Sequence, residues 1–366
     1  MFSSPMASPS FRLFQLPQVA MRELLKLFSW NELFILSLCS RRSSHYVKLY
    51  YNKSLKSKLF LDNYRSPLKV EFKKQPGNFE TIVVVKESTE FQSTQNVTIG
   101  GYTVLFLKTP ENCELYWDDQ RIGFEIVVEY ICELFSVSPF MLTAKPPFLW
   151  MIELMSNPIS ITDVNSYFSS DYIEVPLSEE ECKYLITTCK TYVFFLDVVF
   201  PEGFSYTGSF GNHEMFSIFH GSWITDDNLI SMGETCIEIC IRESKLTVKD
   251  LNKFMRSWFN HKANAVRLLD IEAENIDYSS IFEGLEDEMI TVEGTMVYCN
   301  EEESVKFGGC MSFEFPAGHS VLRRDDGMIA AAALSDSFLY VAIWPDIGSI
   351  RENGIGKYKL HPIDNI

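Results

Sequence analysis

The chain lacks the features that would assign it to several common protein classes. Its nine cysteines are an odd number without a C-x-x-C pair, which is typical of reduced core thiols rather than of a disulfide framework. Its apolar stretches are too short or too charged to span a bilayer. Residues 1–10 have neither the basic region nor the apolar core of a secretory signal, so we expect a short disordered tail there. These absences predict an intracellular protein, cytoplasmic or nuclear, without a membrane partner.

Basic residues are scarce outside the N-terminal part of the chain. Residues 1–75 hold 13 Lys or Arg and 4 Asp or Glu, a balance of +9 within a chain of net charge −17, so residues 76–366 carry −26. Proteins bind nucleic acids by neutralising phosphates with Lys and Arg, and we therefore expect no DNA or RNA partner. Electrostatic steering by this acidic body favours basic target proteins over acidic ones.

No catalytic motif occurs in the sequence. Four histidines could pair with cysteine or serine in space, but none lies in a nucleophile-elbow, zincin or P-loop context. They are His213, His220, His261 and His319. Cys236 and Cys240 are four residues apart, yet they fall in a predicted strand, which does not suit a pair of metal ligands. We therefore predict a protein without enzyme activity, without a metal site and without a cofactor.

Residues 11–50 carry the strongest pattern in the chain. From Phe11 to Cys39, 18 of 29 residues are apolar. Pro17 suits the first turn of a helix because its missing N–H would be unpaired there, and this helix is predicted to run from Pro17 to about Phe28. Its apolar side chains form two stripes at helical spacing, which is more than one small core requires. One stripe contains Leu16, Ala20, Leu24 and Leu27, and the other contains Met21, Leu25 and Phe28.

Two further short helices are predicted in the same segment. Ser29 and Glu32 have the spacing of a capping box, which opens the second helix, and the third begins after Arg41-Arg42. Three helices in about 35 residues rarely bury enough surface to be stable alone. Two accounts therefore stay open: the helices bind a protein partner, or they pack on the rest of the same chain.

Several positions in this segment follow a known order: a Leu-Pro start, aliphatic residues along the first helix, an acidic-Leu pair, then Ser, Cys and basic residues before a Val. They are Leu16-Pro17, Leu24-Leu25, Glu32-Leu33, Ser37, Cys39, Arg41-Arg42 and Val47. The pattern resembles an F-box over residues 11–55. The resemblance implies docking onto a Skp-type linker subunit and, through it, onto a cullin-RING ubiquitin ligase. The implied linker-binding residues, some of which must be core, are Leu16, Pro17, Leu24, Leu25, Leu36 and Val47.

The rest of the chain alternates strand and helix patterns. A β-rich entry region is predicted over residues 56–115, and strands then recur about every 20 to 30 residues over 116–345. That interval is the size of one strand-plus-helix unit of a solenoid. The predicted fold is α+β: a small three-helix F-box, an irregular leucine-rich-repeat-like α/β domain with an antiparallel C-terminal cap, and a tail over 346–366. A compact α/β domain with a mixed sheet is the alternative.

A predicted helix in the segment 246–258 has a distinctive composition. Its marks are Thr247 as the cap, Asp250-Leu251-Asn252, Phe254 and Trp258. This pattern resembles the F-box-associated domain that accompanies F-boxes in a large, nematode-expanded family. Trp223-Ile224 and a hairpin from Arg324 to Gly327 match further family positions, whereas Met255-Arg256 and an extra Asp in the hairpin depart from it. We expect Asn252 to pair with backbone groups and Trp258 to lie in the core.

Together the two resemblances imply a substrate-recognition adaptor of an SCF-type ubiquitin ligase, a non-catalytic subunit of the ubiquitin-conjugation pathway. The N-terminal helices would hold the linker while the F-box-associated domain holds an unidentified target protein. The alternative is a non-catalytic protein-binding scaffold that never enters a ligase and whose N-terminal helices pack inward.

Overall fold

The structure is a computed structural model, which describes most of the chain. The described residues are 13–51, 58–62, 67–75, 78–88, 95–110, 112–152, 160–164, 177–273, 276–291, 296–300, 312–316, 318–335, 337–345 and 358–362. The chain forms two compact units, residues 1–159 and 160–366. The boundaries predicted after residues 55, 115 and 345 stay predictions. The predicted tail over 1–10 lies outside the described residues, and the predicted C-terminal tail contains a strand.

Three short helices open the first unit. They are α1 (Gln18–Leu25), α2 (Trp30–Leu38) and α3 (Arg41–Tyr50). α1 ends at Leu25 rather than near Phe28, because the chain turns immediately after it. α2 begins with the predicted capping box: Ser29 Oγ accepts from the Glu32 N–H at 3.2 Å, and the Ser29 N–H donates to Glu32 Oε2 at 2.8 Å.

A mixed sheet and a longer helix complete the first unit. The elements are β1 (Lys58–Asp62), β2 (Leu68–Gln75), β3 (Asn78–Glu87), β4 (Asn96–Ile99), β5 (Tyr102–Lys108), β6 (Cys113–Trp117), α4 (Gln120–Phe135) and β7 (Pro139–Ala144). The strands lie in the order β7-β1-β2-β3-β6-β5-β4. The pairs β1–β7 and β3–β6 are parallel, and the other neighbours are antiparallel.

α2 packs into the core of the first unit. The Trp30 ring lies 4.4 Å from the Phe72 ring of β2 and 5.0 Å from the Phe135 ring of α4, centroid to centroid. Asn31 Nδ2 donates to the Ile82 carbonyl of β3 at 2.5 Å, so this buried amide is paired with the backbone. The account in which the helices pack on the rest of the chain therefore holds for α2.

Parallel strands in chain order form one part of the second unit. They are β8 (Ile161–Val164), β9 (Val193–Leu196), β10 (Met215–Ile218), β11 (Glu238–Ile241) and β12 (Leu268–Glu272), and each pairs in parallel with the next. Three helices connect them: α5 (Glu179–Thr188), α6 (Asp226–Thr235) and α7 (Val248–Phe259). A loop joins β9 to β10. Because neighbouring parallel strands point the same way, their carboxyl ends all lie at one edge of the sheet.

The remaining strands of the second unit are antiparallel to their neighbours. After α8 (Tyr278–Ile281) come β13 (Met289–Thr291), β14 (Met296–Asn300), β15 (Ser312–Phe315), β16 (Ser320–Arg323), β17 (Met328–Ser335), β18 (Phe338–Pro345) and β19 (Tyr358–Pro362). β18 pairs with β12 and continues the sheet through β17, β16 and β13, whereas β14, β15 and β19 form a separate sheet. The unit is thus mixed α/β. Its leucine-rich-repeat-like character stays a prediction, because the strand intervals are unequal and a loop replaces one helix.

Gly123 of α4 provides a test of the packing in the first unit. A Cβ at this position would overlap the Trp117 indole of β6, so Gly123→Ala should lower the free energy of unfolding by about 1–3 kcal/mol. The usual preference of a helix for alanine has the opposite sign and a size of about 1 kcal/mol. Urea denaturation measures the difference. Glu129→Ala, at an exposed position of α4, is the control and should change stability by less than about 0.5 kcal/mol. A stabilised Gly123→Ala variant would contradict this packing.

Candidate functional site

The six residues implied by the F-box pattern divide between the surface and the core of the first unit. The exposed or half-buried members are Leu16, Pro17, Leu24 and Leu36. Leu25 and Val47 are 1% and 0% exposed. Their side chains cannot contact a partner without unfolding the helices, so we reassign these two residues from the docking surface to the packing of α1 and α3.

The two apolar stripes of α1 differ in exposure. Met21 and Leu25 of one stripe are buried. Leu27 of the other stripe lies in the turn after α1 and is 79% exposed, and Val19 of α1 is 66% exposed. Neither exposed residue is among the six implied by the F-box pattern. The presence of two apolar stripes in the sequence had nevertheless indicated more apolar surface than one small core requires. We name the exposed and half-buried apolar residues of α1 and of the segments directly before and after it the α1 surface, which consists of Leu16, Pro17, Val19, Leu24 and Leu27.

In the second unit, the α7 residues that resemble the F-box-associated domain make structural contacts. Asn252 Nδ2 donates to the carbonyls of Ile281 and Glu283 at 2.9 and 3.0 Å, and its Oδ1 accepts from Arg256 Nε at 2.9 Å. These bonds fasten α7 to the segment at the end of α8. Trp258 is fully buried. Asn252 therefore pairs with backbone groups, and Trp258 packs in the core.

The hairpin between β16 and β17 is tied to the C-terminus of α7. The guanidinium carbon of Arg324 lies 4.7 Å from the centroid of the Trp258 ring, and Nη1 donates to the Trp258 carbonyl at 2.9 Å. Asp326 accepts from Nε and Nη2 of the same guanidinium at 2.9 and 2.7 Å. The positive charge of Arg324 also interacts favourably with the partial negative charge at the C-terminus of α7. Two separate segments that carry the resemblance thus form one contact.

A cavity of about 480 Å³ lies beyond the carboxyl ends of β9, β10 and β11, and the loop after each strand supplies part of its wall. Its lining residues are Val199, Phe200, Pro201, Glu202, Gly203, Phe204, His220, Ser222, Trp223, Glu243 and Lys245. We name it the strand-end cavity. Clefts at this edge of parallel strands are common ligand sites, because loops from several strands converge there.

An ion-pair network holds one wall of the strand-end cavity. His220 Nε2 lies 3.3 Å from Asp197 Oδ1, and Nδ1 lies 2.7 Å from Glu243 Oε2. The carboxylate of Asp197, followed by that of Glu243, raises the pKa of His220 to about 9, although burial opposes the shift. Glu243 has a left-handed backbone with φ of 50°, which costs a non-glycine residue roughly 1 kcal/mol. Its N–H donates to Glu272 Oε2 at 3.2 Å and so fixes this turn.

Cys236 and Cys240, considered above as metal ligands, are core residues. Both are buried, and burial raises the pKa values of their thiols to about 11 and about 12. Across the described residues there is no group of three or more His, Cys, Asp or Glu that could hold a metal ion. The helices in the described part of the chain include none that is long and apolar enough to cross a membrane.

Comparison with known proteins supports the F-box-associated resemblance. Residues 210–271 match the family model described as F-box associated. The matched segment contains β10, α6, β11, α7 and most of β12, and therefore includes Asn252, Trp258 and part of the strand-end cavity. It includes no residue of the N-terminal helices.

Two proteins of Caenorhabditis elegans are similar over most of the chain. Skn-1 dependent zygotic transcript 15 protein is 26% identical over 304 residues, which are 77% of this chain and 86% of that protein. Uncharacterized protein F59B2.9 is 22% identical over 365 residues, which are 92% of this chain and 80% of that protein. No solved structure matches the chain.

The contact between Arg324 and Trp258 predicts a large effect of mutation. Arg324→Ala should lower the free energy of unfolding by about 2–4 kcal/mol, because it leaves the Trp258 carbonyl and Asp326 without their cation. Arg323→Ala removes the same charge from the adjacent, exposed position and should cost less than about 1 kcal/mol. Chemical denaturation of both variants measures the difference, and equal losses would rule out a structural role specific to Arg324.

The His220 network predicts a pH-dependent stability. A histidine whose pKa rises from 6.5 to about 9 on folding contributes stability that is complete below about pH 6.5 and is lost as the pH rises through about 9. Because the side chain is 24% exposed, solvent screening reduces this contribution to roughly 1–2 kcal/mol. Urea denaturation at pH 6 and pH 9.5 should show a larger loss for the wild type than for His220→Gln. Equal losses in the two proteins would contradict the network.

Proposed function

We propose that the chain is a substrate-recognition subunit of an SCF-type ubiquitin ligase. In this role the α1 surface binds a Skp-type linker, and the second unit binds a target protein. The observation that carries the proposal is the F-box-associated match at residues 210–271 in a chain that also exposes an apolar helix face near its N-terminus.

Two properties of the α1 surface support linker binding: its side chains are apolar, and the helix that carries them is anchored in the core. Leu27 and Val19 are largely exposed, although apolar side chains of this size gain about 1.5–3 kcal/mol each when they are buried. The opposite face of α1 is anchored by Met21 and Leu25 in the core. A rigid helix that presents apolar side chains on its outer face is a common way to bind a hydrophobic groove.

The proposed mechanism is proximity rather than catalysis. A subunit that holds the linker at one place and the target at another converts transfer of ubiquitin to a target lysine into a reaction within one assembly. The effective concentration of the lysine near the charged ubiquitin-conjugating enzyme then rises without any chemical step on this chain. Accordingly we assign no catalytic residue, metal or cofactor to it.

The inward packing of α2 favours a second candidate, a protein-binding scaffold that enters no ligase. Trp30 and Asn31 use α2 to complete the core of the first unit, as helices of an ordinary domain do. The two candidates differ in the α1 surface, which only the ligase subunit needs. Co-purification with a cullin distinguishes them.

Linker binding is tested with surface variants of the full chain. Leu16→Ala/Pro17→Ala and Val19→Ser/Leu27→Ser should each weaken binding to a purified Skp-type linker by more than tenfold, measured by titration calorimetry. Ile122→Ser removes an exposed apolar side chain of α4, 44% exposed, and should leave the affinity within twofold of wild type.

Deletion of residues 1–50 is not a suitable control in this experiment, because it would remove Trp30 from the core. The far-ultraviolet circular dichroism of each point variant should match that of the wild type, which shows that the fold is retained. Absence of linker binding by the wild-type chain would favour the scaffold instead.

A further inference from the structure

Three aromatic rings lie in the wall of the strand-end cavity. Phe200, Phe204 and Trp223 lie with their ring centroids 4.8 to 5.0 Å apart. Phe204 and Trp223 are buried, whereas Phe200 is half-buried and presents part of its ring. Aromatic faces carry a negative electrostatic potential and attract cations, tryptophan most strongly. The wall is therefore suited to the apolar stem and charged end of a basic side chain.

Carboxylates near the cavity also favour a basic side chain. Asp197 and Glu243 flank His220, so the three side chains together stay negative whether or not the imidazole is protonated. Glu202 is exposed and, within the part of the chain that the structure describes, makes no ion pair. Lys245 and His220, whose pKa of about 9 keeps it protonated at neutral pH, are the positive charges in the lining. Together with Asp197, which pairs with His220 from outside the lining, the carboxylates outnumber these two cations, so the group carries a formal charge of −1.

The charge of the whole second unit acts in the same direction. Residues 160–366 hold 15 Lys or Arg and 34 Asp or Glu, a net charge of −19, whereas residues 1–159 hold 17 and 15, a net charge of +2. The net negative charge of the chain thus comes entirely from the unit that contains the cavity. A field of this sign concentrates cationic groups near the surface and speeds their association.

We propose that the strand-end cavity binds a basic side chain, lysine or arginine, of the target protein. The stem of this side chain packs on Phe200 and Trp223, and its charged end pairs with Glu202 and Glu243. The inference rests on the proposed function only in taking the second unit as the part that binds the target. It adds the chemical class of the residue that is recognised.

The experiment uses the full chain labelled with 5-fluorotryptophan and follows the fluorine resonance of Trp223, assigned with Trp223→Phe. The probes are the Nα-acetyl amides of arginine and lysine, with those of norleucine and glutamate for comparison. A single side chain binds weakly, so titration extends to about 50 mM. The Trp223 resonance should shift with arginine or lysine at a dissociation constant at least fivefold lower than with norleucine or glutamate.

Charge variants test the location of binding. Glu202→Gln should weaken binding of the arginine amide at least threefold, and Lys245→Gln should strengthen it by a similar factor. Glu180→Gln removes one exposed carboxylate of α5, outside the cavity lining, and should change the affinity by less than twofold. An equal effect of Glu180→Gln and Glu202→Gln would reduce the effect to general electrostatics and overturn the proposal.

Three other outcomes of the titration would contradict the proposal. Equal affinity for norleucine would identify an apolar pocket, preference for glutamate would identify an anion site beside Lys245, and no shift with any probe would show that the cavity binds no such side chain. Each of these overturns the proposal. Linker binding is measured separately on the α1 surface, so a chain that responds to arginine without binding the linker contradicts only the proposed ligase role.

Discussion

Parallel pairing of β8 to β12 in chain order is the constraint on which the second unit depends. Each strand that pairs in parallel with the next must be followed by a segment that returns along the sheet, and the carboxyl ends then meet at one edge. Asp197 after β9, His220 after β10 and Glu243 after β11 come together for this reason. The cavity is thus a product of strand order, and its chemistry is set by the loop residues that follow the strands.

In the first unit, packing on the sheet and on α4 keeps the short helix α2 folded. α2 contributes Trp30 to a cluster with Phe72 and Phe135, and so gains the apolar partners that a segment of this length cannot supply by itself. α1 then needs only one buried stripe to stay in place. Its other stripe is left free for contacts outside the unit, and this division of one helix into two faces connects the packing with the proposed function.

Local signals were readable in the sequence, and long-range ones were not. The capping box at Ser29 and Glu32 and the turn ending at Gly327 involve residues within four positions of each other, and their geometry follows from short-range hydrogen bonding. The contact of Arg324 with Trp258 joins residues 66 positions apart. No periodicity encodes such a pairing. For the same reason the sequence could not show that Leu25 and Val47 are core, since the amphipathic pattern identifies stripes and not their orientation.

The anchoring of the N-terminal helices in the core of the first unit has a consequence for the lifetime of the protein. A partner that grips the outer face of α1 recognises only the folded arrangement, because unfolding of the sheet removes the support of the helices. Its binding free energy therefore adds to the stability of the fold, by about 2.7 kcal/mol when its concentration is a hundredfold above the dissociation constant. A chain without such a partner would unfold more often and meet proteases sooner, so the amount of this protein in a cell would follow the supply of its partner.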